Sequence, residues 1–275
     1  MKKFIFALIA IVILQNVKAQ EEPNLKRTVL KKNYVGLGLL RSGFQDVKFS
    51  NIQYHGTLLA LNIGTSRETD KYFWSIDFNG DFTSLKTKNH PFTAKNIHGR
   101  FDFTYAIKKY SPFQIGAKWT LFEANYINFS ELGNNGLNYI SSSRLHAYGK
   151  YEHKINDKFK VTFSLAVGLF GMIKEFKSFG YTAPQNVLIN GDFDFQDKGT
   201  QNPFSLKYYQ FKTIGKMNAI ETKLELELKE RWVFYYHWNM LNYTTVKRYP
   251  LTLSQHIIGA KFNFIHKTKK RISKK

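Results

Sequence analysis

A chain of 275 residues without a single cysteine excludes a disulfide framework and any thiolate metal site. Its formal charge of +21 suits anionic lipid or lipopolysaccharide, and an export signal at its start argues against nucleic acid. Aromatic residues reach 16% while mean hydropathy stays at -0.37, a pairing natural to strands whose polar face cancels the apolar one in any average.

The export signal occupies residues 1–19. Lys2 and Lys3 form the positive start, residues 4–14 the apolar run, and Val17-Lys18-Ala19 a small-residue cleavage site, so cleavage is expected near Ala19. The run is shorter than the about twenty residues that a spanning helix needs. With no cysteine after the site, lipoprotein processing is excluded. The expected organisation is a signal peptide over 1–19, a barrel over 20–266 and a basic tail over 267–275.

Behind a polar leader at 21–32, alternating segments cover 33–42, 53–64, 72–85, 96–107, 113–126, 142–155, 158–173, 216–228, 232–244 and 251–265. Period two puts successive side chains on opposite faces, which predicts strands, and no stretch shows the helical period. The stretch 220–240 is the clearest case. Leu224, Leu226 and Leu228 alternate with Lys223, Glu225 and Glu227, and beyond a charged turn Trp232, Phe234, Tyr236, Trp238 and Met240 share one face.

Connections alternate in length: tight turns such as 108–112, 156–157 and 229–231 against longer loops at 43–52, 86–95, 128–141, 174–209 and 245–250. An even number of strands with this asymmetry predicts an all-β fold, a transmembrane antiparallel up-and-down barrel of about ten strands, its short turns periplasmic and its long loops extracellular. An Asn-Gly signal inside 186–195 keeps twelve strands as the alternative. All four tryptophans (Trp74, Trp119, Trp232, Trp238) lie on the apolar face, and the last segment ends Ile258, Ala260, Phe262, Phe264. In these features the chain resembles the small outer-membrane β-barrel proteins of Gram-negative bacteria, particularly the Lys- and aromatic-rich versions of Bacteroidetes. The resemblance is one of general pattern over 20–264 and implies the outer membrane of the cell as location. The basic tail departs from the terminal aromatic of that group.

Strand parity sends Asp77, Asn79, Asp81, His98, Arg100, Asp102, Lys118, Arg144, His146, Lys150, Glu152, Glu221, Lys223, Glu225, Glu227, Tyr235, His237, Asn239 and Lys261 into the lumen. Buried charge requires partners, so a plug of mutual ion pairs is expected. Ten strands is also the strand number of the omptin proteases, and His98 with Asp77, Asp81 and Asp102 has the composition of a water-activating site. The His-Asp dyad expected beside the fourth long loop is missing, however. Outer-membrane lipid A deacylases use a His-x-Ser on a late strand, and His237-Trp238-Asn239 lacks the serine. Asp192, Asp194 and Asp197 resemble the opening of a calcium loop, with Asp197 where its glycine belongs.

Lys86, Lys88, Lys95, Lys247 and Arg248 fall near the outer rim and are read as lipopolysaccharide contacts. The sequence thus reads as a non-enzymatic outer-membrane barrel with a side-chain-filled lumen and no cofactor. Its partners would be outer-membrane lipids and a protein met through the extracellular loops in structure, adhesion or assembly. A rim hydrolase acting on peptide or lipid A, a narrow ion pore and a soluble ligand-carrying barrel are the alternatives.

Overall fold

Period-two patterning becomes eleven strands in a computed structural model that describes residues 27–46, 50–110, 112–129, 136–178, 209–246 and 249–270. They are β1 (Arg27–Asp46), β2 (Ser50–Glu68), β3 (Tyr72–Thr87), β4 (Thr93–Tyr110), β5 (Phe113–Phe129), β6 (Gly136–Lys154), β7 (Phe159–Ser178), β8 (Gln210–Thr213), β9 (Met217–Leu228), β10 (Trp232–Val246) and β11 (Tyr249–Lys270). Each pairs antiparallel with its neighbour, and β1 pairs with β11 from Arg27↔Lys270 to Asp46↔Leu251, which closes the sheet. Closure pairs the first strand with the last.

The wall holds ten strands, because β8 and β9 are two pieces of one. Both run antiparallel to β7; between the pairs Phe170↔Thr213 and Val167↔Ile220 the broken strand advances seven residues while β7 advances three. Gly215, at φ 94, takes the left-handed turn inside this break. Away from the strand ends, two single bulges shift phase: Leu121 stands unpaired between Phe101↔Phe122 and Asp102↔Thr120, and Leu169 between Leu145↔Phe170 and His146↔Gly168.

Boundaries differ from expectation in one consistent way. The strands run further toward the loop end, so the expected long connection at 245–250 shrinks to the gap between Val246 and Tyr249, and that at 86–95 to the gap between Thr87 and Thr93. At the other end β11 continues to Lys270, taking in the first residues of the segment read as a tail, and β1 starts inside the polar leader at Arg27. The signal peptide, the 186–195 stretch, Asp192, Asp194, Asp197, Lys247 and Arg248 lie outside the described residues.

Toward the loop end the pattern inverts along most of the strands. In the middle, apolar residues face out (Leu37, Leu39, Leu59, Phe78, Phe82, Phe101) and polar ones face in. Toward the loop end polar residues face out and apolar ones in: Tyr54 is buried between exposed Gln53 and His55, and Leu85 between exposed Ser84 and Lys86. Alternation persists with its sign reversed.

The β9–β10 turn contains a local conflict. Arg231 N–H donates to the Leu228 carbonyl at 3.1 Å while Lys229 and Glu230 hold φ of 49° and 61°. Two successive positive φ values are what a type I′ turn needs, and Asn-Gly fills it with least strain. Lys267 donates to Glu230 at 2.6 Å and holds its carboxyl below the usual carboxylate range. Both side chains of that pair are well exposed, so its contribution is small. Lys229→Asn with Glu230→Gly is therefore expected to stabilise the barrel by about 1 kcal/mol, the left-handed strain removed exceeding the pair lost. A higher midpoint in urea titration would show it; an unchanged or lower one would mean the turn is unstrained.

Candidate functional site

Three layers fill the lumen, and the strands that supply each one fix its character. At the loop end Phe44, Tyr54, Leu85, Ile127, Phe129, Ile140, Ile173, Met217, Leu241, Tyr243 and Leu251 point inward and pack into one cluster. The Tyr54 and Phe129 rings meet edge-on at 5.2 Å between centroids. These side chains close the barrel at that end with an apolar plug, worth roughly 1.5–3 kcal/mol per large apolar side chain withdrawn from water.

Below the plug lies a layer of buried charge. His98, 5% exposed, stands between two carboxylates, its Nδ1 at 2.6 Å from Asp81 and its Nε2 at 3.1 Å from Glu123. Glu123 also accepts from Arg144 and, at 3.2 Å, from Ser142. Arg100 donates through Nε to Asp102 at 2.8 Å and through Nη2 to Glu221. Lys118 joins the same two acids, 2.5 Å from Glu221 and 3.3 Å from Asp102. His237 and His146 approach Glu221 at 3.7 and 3.9 Å.

The third layer opens toward the short turns. Lys261 and Lys223 meet Glu225 at 2.5 and 3.1 Å, Lys32 meets Glu227 at 2.7 Å and Lys150 meets Glu152 at 2.7 Å. Lys108 pairs with Glu68, and the Tyr34 hydroxyl donates to Asp77. Between these groups lies a cavity of about 130 Å³, lined among others by Lys32, Asp77, Lys118, Lys150, Glu225 and Lys261. Its walls become more accessible toward the short turns: Asp102 is buried, whereas Lys160 keeps 25% of its side chain exposed. The result is a charged vestibule with a floor of ion pairs and an apolar lid above them.

The lumen residues expected from parity lie on the inner face of the wall, and the ion pairs above are where the structure places them. Glu123 escaped that reading because the Leu121 bulge flips the phase of β5. Lys118 and Thr120 face in before it; Glu123, Asn125 and Ile127 face in after it. The adjacent apolar pair Leu121-Phe122 was the available signal. The plug escaped for a different reason: Tyr54, Leu85, Leu241 and Tyr243 lie inside the predicted segments, where only the polar inward positions were read as lumen. Lys86, Lys88 and Lys95 are exposed at the loop end.

His98 does bring a histidine within reach of carboxylates, but both ring nitrogens are occupied by them and the residue is enclosed. A general base needs a nitrogen facing its water. Among the described residues no group of three or more His, Asp and Glu side chains is arranged to hold a metal ion.

A closed ten-stranded barrel with an apolar outer belt and a polar interior is the class that fold and lumen define. No protein-family model matches the chain, nor does any curated protein. Among solved structures it is similar to the outer-membrane protease OmpT from Escherichia coli, at 7% identity over 90% of this chain and 99% of that one, with a TM-score of 0.47. It is also similar to the attachment invasion locus protein Ail of Yersinia pestis (9%, 85% and 98%, TM-score 0.31) and to the P. putida toluene transporter TodX (8%, 88% and 91%, TM-score 0.33). Attachment, proteolysis and transport are different tasks, and none passes to this chain at such identity.

Proposed function

We propose that the chain is a non-enzymatic outer-membrane barrel of a Gram-negative cell, exported by a signal peptide cleaved near Ala19. Its plugged lumen holds the fold, and its loop end meets its partners. Those partners are outer-membrane lipid, with Lys86, Lys88, Lys95, Lys247 and Arg248 toward lipopolysaccharide, and a protein bound in adhesion or assembly. The observation that carries this reading is the inside-out distribution of side chains. Leu37, Leu39, Leu59, Ile115 and Ile258 are each more than half exposed, while Arg100, Asp102, Arg144 and Glu221 are buried. In water that distribution would be costly on both faces; in a bilayer it is favourable on both.

Two further features support it. At the short-turn end the aromatics form a rim, with Tyr72 and Tyr105 stacked at 6.1 Å and Phe113 and Tyr151 in tilted contact at 4.8 Å, as interfacial girdles do. Strand length supports it too: β1 has 20 residues and β11 has 22, where about 9–11 suffice to cross the hydrocarbon. The surplus extends past the belt at both ends, where polar residues face out.

The lid of the vestibule speaks against the ion pore, and the enclosed His98 against a rim hydrolase. The polar interior speaks against a soluble carrier of apolar ligands. In cell fractionation the protein is expected in the outer membrane, migrating faster unboiled than boiled. Recovery as a soluble periplasmic protein would overturn the assignment. In planar bilayers the wild-type barrel should give no conductance steps, and steady unitary currents would favour the pore instead.

A further inference from the structure

The outer face of the barrel is uneven where it leaves the apolar belt at the loop end. Directly above the last belt residue stand His256 over Ile258 on β11, Arg41 over Leu39 on β1 and Lys95 over Ile97 on β4. On β2 and β3 one hydroxyl residue intervenes, so His55 follows Thr57 and Lys86 follows Ser84. All five side chains are exposed, and the five strands are consecutive around the wall. At the corresponding level β5, β9 and β10 carry Asn128, Asn218 and Asn242. On those three strands the exposed basic arc does not continue.

Register brings the arc together. Arg41 is the cross-strand partner of His256, His55 of Lys86, and Lys95 of Ser84. The His55 ring leans over β1, its Nδ1 3.5 Å from where a Cβ on Gly43 would lie. Register thus sets the cations Arg41, Lys86 and Lys95 along one arc, with His256 and His55 opposite two of them. Above the belt on these five strands, no carboxylate occurs among the described outward side chains to relieve them. Arg41, Lys86 and Lys95 form no ion pair among the described residues. A carboxylate would have been simple to place there, as the ion-paired lumen demonstrates.

We infer that this arc is a binding site for the phosphorylated head group of an anionic glycolipid of the lipid A type, in the leaflet at the loop end. The site rests on the membrane assignment above and deepens it by adding Arg41, His55 and His256, which sequence reading had not singled out. Phosphate supplies the missing countercharge at the height where belt gives way to polar surface. Arg41 offers a planar fork to two phosphate oxygens, and Lys86 and Lys95 offer point charges. Five strands spaced about 4.8 Å apart make an arc of roughly 20 Å, which fits a head group with two separated phosphates better than a single one.

The test uses full-length folded barrel in neutral detergent, with bound lipid counted by native mass spectrometry. One variant carries Arg41→Gln, His55→Gln, Lys86→Gln and Lys95→Gln. A control carries as many neutral substitutions at the short-turn end: Lys71→Gln, Lys158→Gln, Lys229→Gln and Lys267→Gln. Both must first show heat-modifiable migration. Bis-phosphorylated lipid A is expected to bind the arc variant at least about tenfold more weakly than wild type, and the control within about twofold. Lipid A stripped of its phosphates should bind wild type as weakly as intact lipid A binds the arc variant. Undiminished binding by the arc variant would overturn the site, and so would an equal loss in the control. Displacement of the lipid by an equal concentration of inorganic phosphate would reduce it to a free-phosphate site and overturn the lipid assignment. A chain recovered soluble would sink the membrane assignment itself, whereas a heat-modifiable outer-membrane barrel indifferent to the arc would sink this inference alone.

Discussion

Replacing Glu221 by Ala is expected to destabilise the folded barrel by about 3–5 kcal/mol, the cost of leaving buried cations without their partner. Glu221 is 4% exposed and receives both Arg100 and Lys118, with His146 and His237 close by. Asp102 alone would then face two cations. Glu221→Gln retains the shape and one acceptor oxygen and removes the charge, so it should fall between wild type and Ala. The measurement is urea-induced unfolding in lipid vesicles, followed by tryptophan fluorescence and by the heat-modifiable band. If Glu221→Ala unfolds within about 1 kcal/mol of wild type, the buried layer is hydrated enough to screen its charges, and its role as the pillar of the lumen is lost. Replacement of the whole cluster by apolar residues of similar volume is a different experiment, because it strands no charge.

The second large effect is expected on the opposite face. Phe101 points outward from the middle of β4, flanked across the ladder by Phe78 and Phe122. Phe101→Lys should cost about 2–4 kcal/mol in vesicles, while Asn33→Lys near the short-turn edge of the belt should cost about 0–1 kcal/mol. The contrast between the two positions is the informative quantity, since both substitutions add one exposed lysine. In a water-soluble barrel Phe101→Lys would be neutral or would improve solubility. Equal, small effects at both positions would therefore remove the bilayer from the explanation of the apolar belt.

Much of this architecture was legible from residue order. Alternation is a local property: Leu224, Leu226 and Leu228 must share a face if the backbone is extended, whatever the rest of the chain does. The same parity placed Arg100, Asp102, Glu221, Lys223, Glu225 and His237 on one side of the sheet, and the closed sheet brings them together. The strand count followed because turns interrupt alternation. What alternation lacks is a sign, since the same ladder suits apolar-in and apolar-out. Along β2 and β3 the sign reverses between Leu59 and Tyr54 and between Phe82 and Leu85, inside the predicted segments, so the alternation was visible there and its change of sign was not.

By itself, then, the sequence determined the extended backbone, the number of wall strands and the faces of the unbroken segments, because each depends on near neighbours. The tertiary structure alone decided three things. It joined β8 to β9 across a break that only the ladder with β7 reveals, and it carried Glu123 inward past the Leu121 bulge to meet His98 and Arg144. It also gathered Phe44, Tyr54, Phe129 and Tyr243 from four different strands into the lid of the vestibule. Each is a relation between strands distant in the chain, set by register and closure, and a period read along one strand carries no information about the register of the next.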